Sequence, residues 1–246
     1  MRGQRRGLGR GLVVTLWGLW AGCGGTASTE GPTDGAAPLP LGAYQDGIIT
    51  FYDATGAGNC SFDASPKDLD VAAINIGQYQ GSAVCGACAE IQGPKGSLRV
   101  RIVDSCPDCT TRGHLDLSRS AFAKLANPVD GRVKVSWRLV TCDTPGPVSY
   151  HFKDGSNPYW TAIQVRNHLL PVTKLEYWKD TTWVALKRET YNYFIGTNLG
   201  SGPLKVRVTA LDGQTLEDTL PGVSANKTYS GKEQFLVLAS ERNPTP

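Results

Sequence analysis

The sequence predicts a mostly β protein in which a small β-barrel is followed by a β-sandwich. Three observations point to this fold class. The composition has 29 Gly, 15 Pro and nine Tyr but only 19% charged residues, which favours strands and turns over helices. Short strand-like segments separated by turn signals recur from residue 47 onward. Six of the seven cysteines lie between residues 60 and 142, which indicates a first domain stapled by disulfides and a second domain without them.

The N-terminal residues have the pattern of an export signal followed by a flexible linker. Residues 1–22 join a basic start, MRGQRRGLGR, to the apolar run GLVVTLWGLWAG, which is too short to span a bilayer. The motif WAGC then places Cys23 where bacterial lipoproteins are cleaved and acylated. Simple secretion and a lipid anchor on Cys23 therefore both stay open. Residues 23–43 are small, polar and rich in Gly and Pro, and are predicted to form a flexible linker.

The charge of the chain argues against nucleic acid as a partner. The formal charge is +3 at pH 7, but residues 1–22 contain four arginines and no acidic residue, so removal of this segment leaves −1. The basic character belongs to the signal segment, and nothing in the remaining chain provides the basic surface that nucleic acid requires.

Residues 44–143 are predicted to form the barrel. Five segments have strand character: GIITFY, DVAAIN, CAEIQG, LRVRIVD and GRVKVSWRLV. In the last of them apolar residues alternate from Val133 to Leu139, which is typical of a strand with one buried face. One helix is predicted in LSRSAFAKLAN, with Ser118 as its N-cap.

Residues 148–243 are predicted to form the sandwich, after a proline-containing junction, DTPGPVS. The turn signals KDG and LDG recur at intervals that fit a β-sandwich of about ninety residues. The predicted strands are YHFK, WTAIQVRNH, VTKLEYW, TWVAL, LKVRVTALDG, QTLEDTL and EQFLVLA.

The cysteines allow either a zinc site or disulfides. CGAC and CPDC are separated by seventeen residues, which fits a four-cysteine zinc site. An exported chain, however, reaches an oxidising compartment, and zinc would leave Cys60 and Cys142 unexplained, whereas six cysteines can form three disulfides. We therefore favour disulfides and no metal, with zinc as the alternative.

Several stretches, taken in order, resemble the bacterial expansins of the two-domain, six-cysteine type. They are TFYD, GNCSF, AINIGQYQGSAVCGAC, GPKG, RIVDSCP, LDLSRSAF, VSWRLV, YWTAIQVRNH, YNYF, and TNLG followed after one residue by GPLKVRVT. The resemblance covers about residues 44–243. It implies a six-stranded double-psi β-barrel related to family 45 glycoside hydrolases, and then an immunoglobulin-like β-sandwich that binds cellulose. It also implies a protein that loosens plant cell wall without hydrolysis and without a cofactor. The disulfides that it implies are Cys60–Cys85, Cys88–Cys142 and Cys106–Cys109.

The resemblance implies a groove lined by Thr50, Asp104 and Asp116. In the related hydrolases a His-hydrophobic-Asp motif carries the general acid, and HLD places Asp116 in that position. The base in those enzymes is a second Asp that follows a threonine of the first strand, at about 6.5–9.5 Å from the acid when the mechanism is inverting. Thr50 matches the threonine, but the nearest acid is Asp53, which we interpret as a loop residue. Hydrolysis through Asp53 stays as an alternative.

The residues themselves allow a structural interpretation of both groove aspartates. Asp104 could be a turn residue after its strand, and Asp116 could favour the start of the predicted helix. Bacterial relatives without cysteines often have Tyr two residues after the first groove Asp, where this chain has Cys106. The aromatic contact in the groove is then either lost or supplied by Tyr52 or Tyr79.

The resemblance also implies a polysaccharide-binding surface in the second domain, formed by Lys153, Tyr159, Trp160 and Tyr191. Flat aromatic rings suit the apolar faces of sugar rings, and each ring is expected to contribute about 1–2 kcal/mol. Neighbours in a strand face opposite sides, so both Tyr159 and Trp160 are exposed only if the strand begins after Pro158. Trp178 and Trp183 are interpreted as core or hairpin residues.

Three functions follow, and the first is favoured. The first is non-hydrolytic loosening of plant cell wall by a secreted monomer that binds cellulose and other wall glucans. The second is a polysaccharide-cleaving enzyme of the same barrel, an endoglucanase or a peptidoglycan lytic enzyme, for which peptidoglycan would be the partner. The third is a cellulose-binding or adhesion lipoprotein at the cell surface, in contact with the membrane only through a lipid on Cys23.

Overall fold

The computed structural model describes residues 39–237 of the 246-residue chain. The predicted signal segment, Cys23 and most of the predicted linker lie outside the described residues, as do the last residues of the predicted second domain. Within residues 39–237, every helix is too short or too polar to cross a membrane.

Six strands close into a barrel, in the order β1-β5-β2-β4-β3-β6. The pairs β1–β5 and β2–β4 are parallel and the other four pairs are antiparallel. This confirms the predicted barrel. The strands are β1 (Gln45–Tyr52), β2 (Val71–Asn75), β3 (Cys88–Gly93), β4 (Gly96–Cys106), β5 (His114–Ser118) and β6 (Val133–Val140).

The barrel core is built from alternating apolar side chains, and Trp137 of β6 is its largest member. Its indole is fully buried, and Nε1 donates a hydrogen bond to the carbonyl of Gly113 at 2.8 Å. Gly47 lies directly against this contact, since a Cβ there would be 2.2 Å from the same carbonyl oxygen. The close approach of β1 to the start of β5 therefore requires glycine at position 47.

Two short α-helices accompany the barrel, α1 (Ile76–Tyr79) and α2 (Arg119–Leu125). The predicted N-cap of α2 is confirmed, because the Ser118 hydroxyl accepts a hydrogen bond from the backbone N–H of Ala121 at 3.0 Å. The helix buries Phe122 on the barrel, as its amphipathic pattern predicts.

The rest of the described chain forms a sandwich of two sheets around a second core. One sheet has the order β10-β9-β13-β14 and the other has the order β11-β12-β8-β7-β15. The two sheets enclose Tyr150, Phe152 and Phe194 together with aliphatic side chains. The strands are β7 (Ser149–Phe152), β8 (Trp160–Arg166), β9 (Val172–Lys179), β10 (Thr182–Ala185), β11 (Lys187–Arg188), β12 (Phe194–Thr197), β13 (Leu204–Ala210), β14 (Thr215–Leu220) and β15 (Thr228–Ser230).

One predicted strand is wrong where the structure describes it. The segment EQFLVLA has no strand over residues 233–237. Phe235 packs into the sandwich core. The segment is held by the side chain of Gln234, which donates hydrogen bonds to the carbonyls of Gly146 and Asn167, and not by pairing with a neighbouring strand. The apolar residues of this segment predict a strand, but no strand forms over residues 233–237 because its hydrogen-bonding partners lie in loops.

Three disulfides staple the barrel, and they join the pairs that the resemblance implies: Cys60–Cys85, Cys88–Cys142 and Cys106–Cys109. All four cysteines of CGAC and CPDC are consumed in them, so neither motif has a thiolate for zinc. The Cys88–Cys142 bond closes the longest loop, with a sequence separation of 54. In the chain-entropy model a loop of that length stabilises the folded state by about 4 kcal/mol.

Barrel and sandwich lie in one compact unit and are joined by hydrogen bonds between buried and half-buried groups. The Gln164 amide donates to the carbonyl of Cys60 at 2.8 Å, and the Tyr79 hydroxyl donates to the carbonyl of Thr190 at 2.7 Å. Arg166 adds an ion pair with Asp63 at 2.7 Å. These contacts fix the five-stranded sheet against the end of the barrel that carries Tyr79.

Candidate functional site

The three predicted groove residues lie in one row across four barrel strands. In the strand register Thr50 is opposite Asp116, Asp116 is opposite Ala73, and Ala73 is opposite Asp104. Residues in lateral register project to the same face of a sheet. The two aspartates are thus separated by one strand that carries only a methyl group, and their Cα atoms lie about 10 Å apart at two strand spacings.

Thr50, His114 and Asp116 form a hydrogen-bonded chain. The Thr50 hydroxyl donates to Oδ1 of Asp116 at 2.5 Å, and its oxygen lies 3.0 Å from Nε2 of His114. A threonine hydroxyl has one proton, so Nε2 of His114 must donate to it. The chain runs in one direction and ends on the carboxyl of Asp116.

The surroundings of these three residues favour the uncharged forms of Asp116 and His114. Burial raises the pKa of Asp116 above its usual range, and the bond from Thr50 and the charge of His114 offset part of that rise. Burial, followed by the charge of Arg132, lowers the pKa of His114. A carboxyl group with a raised pKa is suited to donate a proton or a hydrogen bond.

We expect Asp116→Asn to make the folded protein more stable at neutral pH. A carboxyl whose pKa is raised by folding stabilises the protein only below its unfolded pKa, near 3.8, and that contribution is lost as the pH rises through the folded value. The amide that replaces the carboxyl in Asp116→Asn is neutral at every pH, so the variant keeps this stabilising contribution as the pH rises. The thermal midpoint of the variant should exceed that of the wild type at neutral pH, and the difference should vanish below pH 3.8. Asp108→Asn, an exposed change nearby, is the control, and a lower midpoint for Asp116→Asn at neutral pH contradicts the expectation.

Asp104 lies within β4 and anchors a loop through its carboxylate. Oδ1 accepts hydrogen bonds from the backbone N–H groups of Asn59 at 2.6 Å and Ser105 at 2.8 Å. Gly58 permits this approach, because a Cβ there would lie 2.4 Å from Cγ of Asp104. Asp104 is therefore not a turn residue after the strand, and part of its hydrogen-bonding capacity is already used by the loop that covers it.

Asp53, the alternative base, follows the end of β1 and points to solvent. Its side chain is 85% exposed, and its carboxylate forms an ion pair with Arg119 at 3.2 Å. The preceding strand residue Tyr52 is opposite Ser118 in the register, two positions beyond the pair formed by Thr50 and Asp116. Asp53 is thus paired with a cation and lies beyond the row of groove residues.

Both tyrosines that could replace the missing groove aromatic lie near Asp104. Burial raises the pKa of Tyr52 and of Tyr79, and the charge of Asp104 raises both further. The Tyr79 hydroxyl is used in the bond to Thr190, whereas the Tyr52 hydroxyl is buried and has no hydrogen-bond partner among residues 39–237. Tyr52 is therefore the tyrosine whose hydroxyl is still free to donate a hydrogen bond. The charge of Asp116 also raises the pKa of Tyr52.

The rings of Tyr159 and Trp160 are both accessible, with exposed fractions of 77% and 37%. The strand begins at Trp160, so Tyr159 is not subject to the alternation that would turn it inward. The side chain of Asn157 fixes this geometry, since Oδ1 accepts the backbone N–H groups of Tyr159 at 3.0 Å and Trp160 at 3.1 Å. Two neighbouring aromatic rings thus reach solvent at the start of β8.

The other two predicted surface residues are half-buried. Tyr191 packs against Tyr193 with ring centroids 5.9 Å apart, and it follows Thr190, whose carbonyl holds Tyr79 of the barrel. Tyr191 therefore lies where the sandwich meets the barrel. Lys153 follows β7 on the same sheet, and its backbone N–H donates to Ala162 at 3.0 Å.

Trp178 and Trp183 form a separate aromatic pair on the opposite sheet. They are directly opposite each other in the β9–β10 hairpin, with centroids 5.2 Å apart. Trp178 is 40% exposed, and Lys205 lies over both rings. Their interpretation as hairpin residues agrees with this register.

Within the described range, His, Cys, Asp and Glu side chains form no group of three or more that could hold a metal ion.

Comparison with known proteins identifies relatives over most of the chain. A family model described as lytic transglycolase matches residues 71–137. Expansin-YoaJ of Bacillus subtilis (strain 168) is 40% identical over 212 residues, which cover 81% of this chain and 91% of the relative. Expansin-A21 of Arabidopsis thaliana is 28% identical over 257 residues, covering 91% and 95% of the two chains.

Solved structures show the same architecture. The apo crystal structure of an expansin from Clavibacter michiganensis aligns with a TM-score of 0.71 at 30% identity, covering 80% of this chain and all of the other. An aspartate-to-asparagine variant of the Clavibacter michiganensis expansin, solved in complex with cellohexaose, aligns with a TM-score of 0.72 at 30% identity and with the same coverage.

Proposed function

This chain belongs to the expansin family, and on that premise we propose that it loosens plant cell wall by binding cellulose and related glucans without cutting them. The exposed pair Tyr159 and Trp160 would stack on glucan rings, and the groove of the barrel would engage hydroxyl groups of the same or a neighbouring chain. The cellohexaose complex of the Clavibacter relative supports a β-glucan as the ligand.

The observation that carries the proposal is that Asp116 is the one groove carboxyl arranged to donate a proton. Thr50 holds it, and burial raises its pKa. Neither neighbouring aspartate is arranged as a base, because Asp53 is exposed and paired with Arg119, and Asp104 is bound by two backbone N–H groups. A general acid without a base that activates water contributes little to hydrolysis. It can still exchange hydrogen bonds with glucan hydroxyls and so compete with contacts between chains.

Hydrolysis is the second candidate function, and two observations favour it. The two aspartates of the row, Asp116 and Asp104, lie on either side of β2 in the strand register, so the row contains two carboxyl groups, as a glycosidase requires. The matching family model is also described as a lytic transglycolase. In this alternative Asp104 or Asp53 would act as the base, and either glucan or peptidoglycan would be cleaved.

We propose that the protein acts outside the cell as a secreted monomer. Residues 1–22 would direct export, residues 44–143 and 148–243 would be the two functional domains, and Cys23 would be either unmodified or lipid-anchored. The Cys60–Cys85, Cys88–Cys142 and Cys106–Cys109 disulfides support an oxidising compartment, where such bonds persist. No cofactor or nucleic acid enters the proposed function.

The test measures adsorption and cleavage on the same samples. Purified protein is incubated with crystalline cellulose and, separately, with peptidoglycan; bound protein and soluble reducing sugar are then quantified. We expect adsorption to cellulose with no sugar released, together with extension of isolated plant cell wall under load. Sugar release that disappears in Asp116→Asn and in either Asp53→Asn or Asp104→Asn would instead establish a hydrolase. Adsorption without wall extension would leave only a binding or adhesion protein.

A further inference from the structure

Three consecutive residues of the sandwich, Arg188, Glu189 and Thr190, each bind one short segment of the barrel. Nη1 of Arg188 donates to the carbonyl of Ser82 at 2.8 Å, and the Ser82 hydroxyl donates to the carbonyl of Glu189 at the same distance. The Tyr79 hydroxyl donates to the carbonyl of Thr190 at 2.7 Å. We call these three hydrogen bonds the latch. They tie the barrel to the turn that follows β11 of the sandwich.

The barrel side of the latch has an unfavourable backbone conformation. Gln80, Gly81 and Ser82 follow one another with φ values of 50°, 60° and 80°, all in the left-handed region. Glycine adopts this region readily, whereas glutamine and serine adopt it at a cost and keep it only where surrounding contacts hold them. Ser82 is fully buried, and two of the three latch bonds are made by its own carbonyl and hydroxyl. The latch therefore holds this segment in a conformation that it would not keep alone.

Arg188 is the charged member of the latch, and it contacts both sheets of the sandwich. Nη2 donates to the carbonyl of Val172 in β9, and the guanidinium lies over the ring of Phe194 in β12, at 4.5 Å from the centroid. None of the carboxylates described by the structure forms an ion pair with this side chain. Burial lowers the pKa of Arg188 to about 10, so the guanidinium stays charged at neutral pH. Its planar set of donors fixes the Ser82 carbonyl relative to both sheets, which a single ammonium group could not do.

The latched segment continues directly into the contacts that hold the groove. Tyr79 is the last residue of helix α1, and Oε1 of its neighbour Gln78 accepts the backbone N–H of Gly113 at 2.6 Å. Gly113 immediately precedes His114, where the hydrogen-bonded chain that ends on Asp116 begins. A shift of the latched segment would therefore move the backbone at the start of β5, and with it the imidazole that orients the groove carboxyl.

We propose that Arg188 is a positioning residue for wall loosening: through the latch it holds α1 and the start of β5 where they orient Asp116 in the groove. The inference rests on the proposed function, because loosening is the activity to which it assigns a residue. It also adds a condition to that function. The exposed rings at the start of β8 can still adsorb to cellulose when the groove carboxyl is misaligned, so loss of the latch should separate adsorption from loosening.

The test compares Arg188→Met, which removes the donors, with Arg99→Met, the same change at an exposed position on β4. Adsorption to crystalline cellulose and extension of isolated plant cell wall under load are measured on the same preparations of full-length protein. We expect extension at saturating adsorption to fall about threefold or more in Arg188→Met, because the hydrogen bond to Ser82 is lost. The adsorption isotherm should not change, and Arg99→Met should match the wild type in both measurements. Arg188→Lys, which keeps the charge but not the planar donors, should show an intermediate loss.

A second measurement follows the groove directly and needs no wall. The chain has three histidines, so the pH titration of His114 can be followed by NMR and assigned with His114→Asn. Burial and the charge of Arg132 lower the pKa of His114, and the charge of Asp116 offsets part of that shift. We expect this pKa to rise toward the ordinary value of 6.5 in Arg188→Met and in Ser82→Ala, which removes another latch bond, because a displaced imidazole is better solvated. A purely structural role would lower the thermal midpoint without moving this pKa.

Two results would overturn the proposal. One is a His114 titration that stays unchanged in both Arg188→Met and Ser82→Ala. The other is adsorption and extension that fall in equal proportion, which would indicate a loss of folded protein and not a misaligned groove. If the thermal midpoint shows that Arg188→Met does not fold, Arg188→Lys and Ser82→Ala provide the same comparisons. A wild-type protein that extends no wall, or that releases sugar, contradicts the proposed function instead, and the His114 titration then still decides whether the latch orients the groove.

Discussion

Asp116→Asn is expected to abolish wall loosening while leaving adsorption to cellulose intact. The variant keeps the shape of the side chain and the acceptor for Thr50, but it cannot ionise and cannot deliver a proton. A hydrogen-bonding group left without its partner costs about 1–3 kcal/mol, so the rate of extension of isolated cell wall under load should fall about tenfold or more. Adsorption should persist, because the exposed rings lie on the sandwich.

The physical reason is the one-way hydrogen-bonded chain that ends on Asp116. His114 donates to Thr50 and Thr50 donates to Asp116, so the carboxyl is held in one orientation with its second oxygen available. A carboxyl oriented in this way can replace a hydroxyl of a neighbouring glucan as hydrogen-bond partner. Thr50→Val, which keeps the volume of the side chain and removes its hydroxyl, should cause a smaller loss of extension than Asp116→Asn.

The matched control for this prediction is Asp108→Asn, which removes an exposed carboxylate from the Cys106–Cys109 loop and should extend wall like the wild type. Full extension activity in Asp116→Asn would show that the groove carboxyl is not used. Extension that is lost together with released sugar would show that loosening depends on hydrolysis.

Asp116 also illustrates why a binding group can reduce stability. Its burial favours the neutral form, so the ionised carboxyl at neutral pH destabilises the fold. The same substitution is therefore expected to raise the thermal midpoint and to abolish loosening. Such opposite effects distinguish a functional carboxyl from a structural one, whose loss would lower stability.

The barrel strands were predictable where one face is buried and the residues alternate, as in β6. Strand β5 was not predicted although HLDLS alternates polar and apolar residues, because only five residues form the strand and the last two, Leu117 and Ser118, belong to the segment predicted as a helix. It lies between two neighbours, β1 and β2, and the helix signal at Ser118 follows at once. A five-residue strand that runs directly into a helix has too few repeats for periodicity alone to identify it.

The row of groove residues could not be derived from the sequence by itself. Thr50, Asp104 and Asp116 come from three strands, and only the register places them around Ala73. The resemblance to a family supplied the residues, but not the bond from Thr50 to Asp116 or the unpaired Tyr52 hydroxyl. The ion pair of Asp53 with Arg119 is likewise a tertiary contact that no local pattern indicates.

Removal of the two exposed rings at the start of β8 should have the second large effect. Tyr159→Ala and Trp160→Ala are each expected to weaken adsorption to cellulose by about 1–2 kcal/mol, or about five- to thirtyfold in the dissociation constant. The double variant should approach the sum, because each ring would contact a different sugar unit. Adsorption isotherms on crystalline cellulose measure both values. Wall extension should fall in parallel, since the groove would no longer be held on its substrate.

Trp178→Ala is the matched control, because Trp178 has nearly the same exposed fraction as Trp160, 40% against 37%, but lies on the other sheet. If adsorption reflected general hydrophobicity, the two tryptophan variants would lose it equally. We expect only Trp160→Ala to lose it, because Asn157 holds the backbone of Tyr159 and Trp160 at the exposed start of β8, whereas the face of Trp178 is already covered by Lys205. Equal losses in both variants would place cellulose binding outside the predicted surface.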